Sequence, residues 1–264
     1  MKKFFLFFLL VLLTASCNKI EKKKNVIDQK MVMHAMCEID GYTYTNSLEA
    51  FLDNYNKGAR FFEVDFDFLD GHLICCHDYK VWKTFVPEGL EYNYENFKNT
   101  TLTKNEYHTL DIDDLSELLD EYDDIYIITD TKYRDEETVT NQFKEIYNKC
   151  KGNIDRIIPQ IYTKEMHKFV TKIYSFSSMI FTLYFLKNWD ASDIAEFMNK
   201  NNIPIVTMWD YLCTKEVCNI FKEKDITICA HTVNDINKAN ELFENGCDIV
   251  YSDSIIYIDW WTRA

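Results

Sequence analysis

Glu63 and Asp65 stand two residues apart in FFEVDFDFLDGHLICCHD, residues 61–78. Side chains at i and i+2 of a strand point to one face. A turn at Asp70-Gly71 brings a second short run back, and that run ends at His77. Two carboxylates beside a histidine suit a hard divalent cation with an acid/base group next to it. His34 closes an earlier apolar run, MVMH, and Asp130 and Lys132, again two apart, end IYIITDTK. Three acidic oxygens fit Mg²⁺ or Ca²⁺, with water or substrate oxygens completing the shell. Lys132 suits a phosphate oxygen, and two histidines suit one proton taken and one given. Phe61, Phe62, Val64, Phe66 and Phe68 flank the pair. They argue that Glu63 and Asp65 are buried, where carboxylates need partners or a cation.

Short apolar runs carry these groups, and helix-like stretches separate the runs. Such runs occur at 31–34, 61–66, 72–77, 125–129, 156–161, 178–185, 203–208, 226–230 and 248–251. Asn46-Ser47 caps LEAFLDNYNKG, with Gly58 as a stop. Asp113 precedes DLSELLDEY, and residues 135–149, 164–173, 190–200, 214–223 and 235–245 also read as helices. Strand–helix alternation predicts parallel βαβ units. About eight units fit the length, so an α/β fold of the (β/α)8 (TIM) barrel type is expected, with an open doubly wound sheet as the alternative. No glycine-rich phosphate loop follows a strand, which weakens a nucleotide-binding version of that alternative. In a parallel barrel the site lies at the C-terminal ends of the strands, where the candidate groups fall. Trp209 and His231 also end strand runs and are candidate substrate contacts. Residues 79–112 break the rhythm. They read as an aromatic, polar, irregular insertion after the second strand, placed to act as a lid or binding loop.

The chain has 264 residues, 47% hydrophobic, enough for one large core. Its formal charge of −14 argues against nucleic acid as a partner. At the N-terminus Lys2 and Lys3 precede FFLFFLLVLL, then small residues and Cys17. This pattern is that of a secretory signal, expected over 1–16. Its end resembles a bacterial lipoprotein signal, with Cys17 lipidated and residues 17–30 as a tether; Thr14 stands where Leu is usual. The expectation is an exported, membrane-anchored lipoprotein of the cell envelope, with its catalytic domain over 31–264. Eight cysteines follow Cys17. No C-x-x-C pair occurs, and Cys75, Cys229 and Cys247 sit in apolar runs, so mostly free, buried thiols are expected.

Three patches resemble the glycerophosphodiester phosphodiesterase family, within the phosphatidylinositol-phospholipase-C-like phosphodiesterases. They are VMHAMCEIDGYTYTNSLEAF, GARFFEVDFDFLDGHLICCHD and TVNDINKANELFENGCDIVYSD. The resemblance implies a TIM barrel that hydrolyses glycerophosphodiesters to glycerol phosphate and an alcohol. It implies His34 and His77 as the catalytic pair and Glu63 and Asp65 as metal ligands. Asp130 stands where the family usually has Glu, with Lys132 at the matching lysine. Ala35 replaces the usual arginine, Thr45 the usual glutamate before Asn46, and His231 an aromatic residue. One divalent cation, Mg²⁺ or Ca²⁺, is implied, with a small-molecule or lipid-headgroup phosphodiester as substrate. A phospholipase-like enzyme on intact lipid and a non-catalytic surface binding protein are the alternatives.

Overall fold

The computed structural model describes residues 25–104 and 106–255. The leader and the Cys17 lipidation site lie outside them. Nine strands form one sheet: β1 (Met31–Met33), β2 (Phe61–Leu69), β3 (His72–Cys75), β4 (Tyr126–Thr131), β5 (Ile157–Ile161), β6 (Ile180–Thr182), β7 (Ile205–Trp209), β8 (Thr227–His231) and β9 (Ile249–Ser252). Eight pair in parallel in the order β1-β9-β8-β7-β6-β5-β4-β2, and β1 pairs β2 to close the ring. The expected (β/α)8 barrel is what forms. β3 is the exception: it pairs antiparallel to β2 in a hairpin.

Helices cover the outside: α1 (Leu48–Asn56), α2 (Tyr79–Phe85), α3 (Tyr94–Asn99), α4 (Ile112–Glu121), α5 (Glu136–Lys149), α6 (Lys164–Thr171), α7 (Ala191–Lys200), α8 (Lys215–Lys222) and α9 (Ile236–Glu244). Their starts follow from sequence. Ser47, Asp135, Thr163, Asp190, Thr214 and Asp235 each accept a backbone N–H of the first turn. The α4 start differs from expectation by two residues. Asp111, not Asp113, is the cap, because Asp114 answers it in a capping box.

The alternation along β2 explains how acids enter an apolar barrel. Phe62, Val64 and Phe66 point outward and pack beneath the helices. Phe61, Glu63 and Asp65 take the opposite face, toward the barrel axis. β4 is in register beside it, with Phe61 opposite Tyr126, Glu63 opposite Ile128 and Asp65 opposite Asp130. The bottom layer is therefore aromatic, with the Phe61 and Tyr126 rings stacked 4.9 Å apart. Ile128, Ile158, Ile180, Ile205 and Ile249 fill the interior, and Ile27 joins them from the N-terminal segment. Acids appear only at the upper layers, where the strands end.

Two expectations need correction. Glu63 and Asp65 were expected late on the second strand, yet β2 runs on to Leu69. The extra residues leave the barrel because β3 pairs them over Phe66–Leu69. The 79–112 segment is not irregular. It forms α2 and α3 and buries Trp82, Phe97 and Tyr107. It is a packed excursion beside the barrel, and none of its described residues lines the cavity at the mouth. Its short helices escape periodicity analysis because each is under two turns long.

Candidate active site

Glu63, Asp65 and Asp130 each bring a carboxylate oxygen within 4.8 Å of the others. Each is oriented by a different part of the chain. The Ala35 N–H donates to Glu63 Oε2 at 2.7 Å. Ala35 itself is buried, with a left-handed φ of 47°. This position thus serves the cluster through its backbone and offers no side chain to a phosphate. Asn46 clamps Asp65 twice: its Nδ2 donates to Asp65 Oδ2 at 2.9 Å, and its Oδ1 accepts the Asp65 N–H at 3.1 Å. Thr45, its neighbour, turns to the Ser47 hydroxyl at 3.0 Å. Lys132 Nζ lies 2.6 Å from both Asp65 Oδ1 and Asp130 Oδ2. Sequence placed this lysine against a phosphate; in the structure its ammonium serves the carboxylates.

The electrostatics suit a bound cation. Burial raises the Glu63 pKa, Asp65 raises it further, and His34 opposes both. Burial also raises Asp130, with Lys132 opposing. Asp65 goes the other way: burial works against its charge, but Lys132, His34 and His77 hold its pKa low. Asp130 Oδ1 is buried with no partner. Three close carboxylates, one lysine and an orphaned carboxylate oxygen leave uncompensated negative charge. A hard divalent cation on Glu63, Asp65 and Asp130 fits this donor set.

His34 and His77 stand on one side of the cluster. His34 Nδ1 lies 2.6 Å from Asp253 Oδ1, and its Nε2 lies 3.8 Å from Glu63. Asp253 is fixed in turn by Asn234 Nδ2, which donates at 2.8 Å. With Nδ1 engaged, Nε2 is the nitrogen left to exchange a proton. His77 sits after β3 with Nδ1 3.2 Å from Asp78, the N-cap of α2. Tyr44 stands between the two imidazoles, edge-on to both at 5.0 and 5.3 Å. Asp253 and Tyr44 are not singled out by the sequence, which marks Asn46 only as part of a helix cap. Asp253 carried a signal, being an acid just past a strand end, as Asp130 is.

Asp253 is a positioning residue, and Asp253→Asn tests it. A freed imidazole should cost about 10²-fold in kcat with a smaller change in KM. The alkaline limb of the pH–rate profile, where a proton-donating His34 loses its proton, should move down, since Asp253 favours the His34 cation. An unchanged profile would make the contact merely structural.

Burial opposes charge on His34, but Glu63, the Asp253 hydrogen bond and Asp65 outweigh it and carry its pKa up to about 9. A folded pKa above the ordinary value of 6.5 means stabilisation that is full below pH 6.5 and lost as pH rises to about 9. In EDTA, the unfolding free energy should therefore fall across that window, by a few kcal/mol at most. His34→Gln should flatten the slope when denaturant midpoints are measured against pH.

The remaining walls are aromatic. Trp209 stacks on Tyr184 at 4.7 Å, and Tyr184 lies 3.5 Å from the His231 ring. Burial pushes His231 down to about 2, so it is neutral. Its Nδ1 lies 3.3 Å from the Thr207 hydroxyl, and its Nε2 has no partner. His34, His77, Asp65, Asp130, Lys132, Trp209 and His231 all line one cavity of about 420 Å³. The expected site residues are brought together, and Cys17 alone lies outside the described residues. His108 lies at the surface and pairs with Glu49.

Fold and site together define a closed (β/α)8 barrel whose mouth holds an acidic cluster flanked by two histidines. Solved structures share this fold. A phosphodiesterase of Oleispira antarctica in complex with the product sn-glycerol-3-phosphate superposes with a TM-score of 0.72 at 14% identity, covering 89% of this chain and 97% of its own. A glycerophosphodiester phosphodiesterase of Thermotoga maritima gives 0.63 at 17% identity, covering 91% and 100%. One from Parabacteroides distasonis gives 0.67 at 15%, covering 85% and 92%. No protein-family model matches the sequence, and no curated protein does. The likeness is one of fold; the chemistry rests on the residues at the mouth.

Proposed function

We propose that this protein is a divalent-cation-dependent phosphodiester hydrolase that cleaves glycerophosphodiesters to glycerol phosphate and an alcohol. The observation that carries the reading is the three-carboxylate cluster with His34 and His77 beside it in one cavity. Glu63, Asp65 and Asp130 would hold Mg²⁺ or Ca²⁺. The bound cation would neutralise a non-bridging phosphate oxygen and so lower the charge opposing attack. One histidine takes a proton from the attacking hydroxyl or water, and the other gives one to the departing alcohol. The carboxylates around His34 favour its charged form, which suits the donor's part. Asn46 and Ala35 hold the carboxylates in place, and Lys132 keeps Asp65 and Asp130 together. Product identity tests the reading. Incubation with glycerophosphodiesters and Mg²⁺ or Ca²⁺ should yield glycerol phosphate in the ³¹P spectrum. No turnover on any phosphodiester, with no cation binding, would leave a binding protein.

A second reading, action on an intact phospholipid, draws on the rim. Tyr42, Tyr79, Phe185, Trp209 and Tyr211 are exposed, and all follow barrel strands or the β2–β3 hairpin on the mouth side. Aromatic rings of this kind suit a lipid interface. The anchor weighs against it. We take the chain to be exported and lipidated at Cys17, and Cys17 is eight residues from Asn25. Eight residues reach at most about 28 Å. Val26 and Ile27 pack at the bottom of the barrel, opposite the mouth. A lipid on Cys17 would turn the bottom to the membrane and the mouth to the aqueous side, which favours soluble diesters. Among the described residues no helix is long and apolar enough to cross a membrane.

A further inference from the structure

The cavity has two unlike walls. His34, Tyr44 and His77 form one, from the segments after β1 and β3. Arg134, Phe185, Tyr184, Trp209 and His231 form the other, from the ends of β4 and β6–β8. The first wall does the proton chemistry proposed above. The second has no part in it, yet it carries a cation and a buried, unpartnered nitrogen.

Arg134 follows Lys132 by two residues, and the two cations are in opposite situations. The Lys132 ammonium is taken up by Asp65 and Asp130. The Arg134 guanidinium lies 3.4 Å from the centre of the Phe185 ring. Among the described residues it has no carboxylate partner. The acids beside it are occupied elsewhere: Asp135 caps α5, and Glu136 faces Lys172 at 3.5 Å. The ring contact holds the guanidinium at this wall, and among the described residues no hydrogen bond takes up its N–H edge. That edge is a planar fork that matches a carboxylate or phosphate.

We propose that Arg134 is the anchor of an anion subsite, and that the preferred substrates are phosphodiesters carrying a second negative group, phosphate or carboxylate, outside the scissile bond. The proposal rests on the hydrolase reading and names its substrate class. The opposite assignment, an aromatic cage for a quaternary ammonium, meets a direct obstacle. A cage needs open ring faces. Here the guanidinium occupies Phe185, and Trp209 lies stacked on Tyr184 with only 21° between the planes. A cationic headgroup on this wall would also face the Arg134 charge. His231 completes the subsite. It lines the same cavity, is 2% exposed, and its Nε2 lacks a hydrogen-bond partner.

The test uses two soluble diesters. Bis(glycerophospho)glycerol carries a second phosphate, and glycerophosphocholine carries a quaternary ammonium. The wild-type chain should favour the first in kcat/KM by about tenfold or more, and Arg134→Gln should bring the ratio close to one, as for loss of one charged fork. Arg134→Lys, which keeps charge but not the fork, should fall between. Arg134 is exposed, so these variants should fold. Calorimetric binding of both compounds to His77→Ala, with and without Arg134→Gln, reads the same ratio without turnover. If turnover occurs but neither ratio responds to Arg134, or choline is preferred, the subsite is wrong. If neither compound is hydrolysed while the binding ratio still depends on Arg134, the hydrolase reading fails and the subsite stands.

Discussion

His34→Ala is expected to lower kcat by about 10²- to 10⁴-fold, the usual weight of a positioned acid or base. His77→Ala should do the same. The double variant should fall little below either single one, because both serve one proton cycle. The two differ in what else they disturb. His34 is held by Asp253 and faces Glu63, so its loss also alters the charge around the cation site. His77 is partly exposed and touches only Asp78 and the Tyr44 edge in the contacts above. His77→Ala should therefore leave cation affinity closer to wild type than His34→Ala does. Steady-state kinetics with calorimetric cation titration separates these outcomes. Near-wild-type turnover by either variant would remove the acid/base assignment.

The second large effect concerns the carboxylates, and its sign depends on the cation. Asp130 is half-buried, its Oδ1 is buried and unpartnered, and desolvation raises its pKa. Without a cation this is a cost to folding. Asp130→Asn removes a negative charge and keeps an oxygen for Lys132. In EDTA it should be as stable as wild type or more so. With saturating Mg²⁺ or Ca²⁺ the order should reverse. Wild type should gain about 3–4 kcal/mol at 100 to 1,000 times Kd, and the variant far less. Turnover should drop by about 10³-fold or more, since the proposed cation would supply the main charge stabilisation. Thermal unfolding with and without cation reads the crossing of the two curves without any substrate. Equal cation stabilisation in both proteins would place the ion elsewhere.

Much of this was legible before any coordinates, for definable reasons. A strand repeats every two residues, so Glu63 with Asp65, and Asp130 with Lys132, announce a shared face by spacing alone. Helix starts are local chemistry, so Ser47, Thr163, Asp190 and Thr214 mark them directly. The groups that orient the site were not legible, because barrel closure brings them together across long separations. Asp253 reaches His34 only because β9 pairs β1. Asn46 reaches Asp65 through a loop with left-handed Tyr44 and Asn46, which no periodicity reports. Arg134 finds Phe185 across the end of the β5 strand between them. The 79–112 segment hides its helices from the sequence because those that Trp82 and Phe97 anchor are too short to show a period.

The cysteines make a similar point about burial. All eight among the described residues are free and buried. Burial pushes Cys37 and Cys76 up to about 12, so these thiols are held as small apolar side chains.

The most direct test is turnover of a glycerophosphodiester by the purified chain, with glycerol phosphate measured as the product. The account predicts release in Mg²⁺ or Ca²⁺, its loss in EDTA and its return on adding cation back. It also predicts no return for Asp65→Asn under the same conditions. Turnover that persists in EDTA, or that survives in Asp65→Asn, would contradict it.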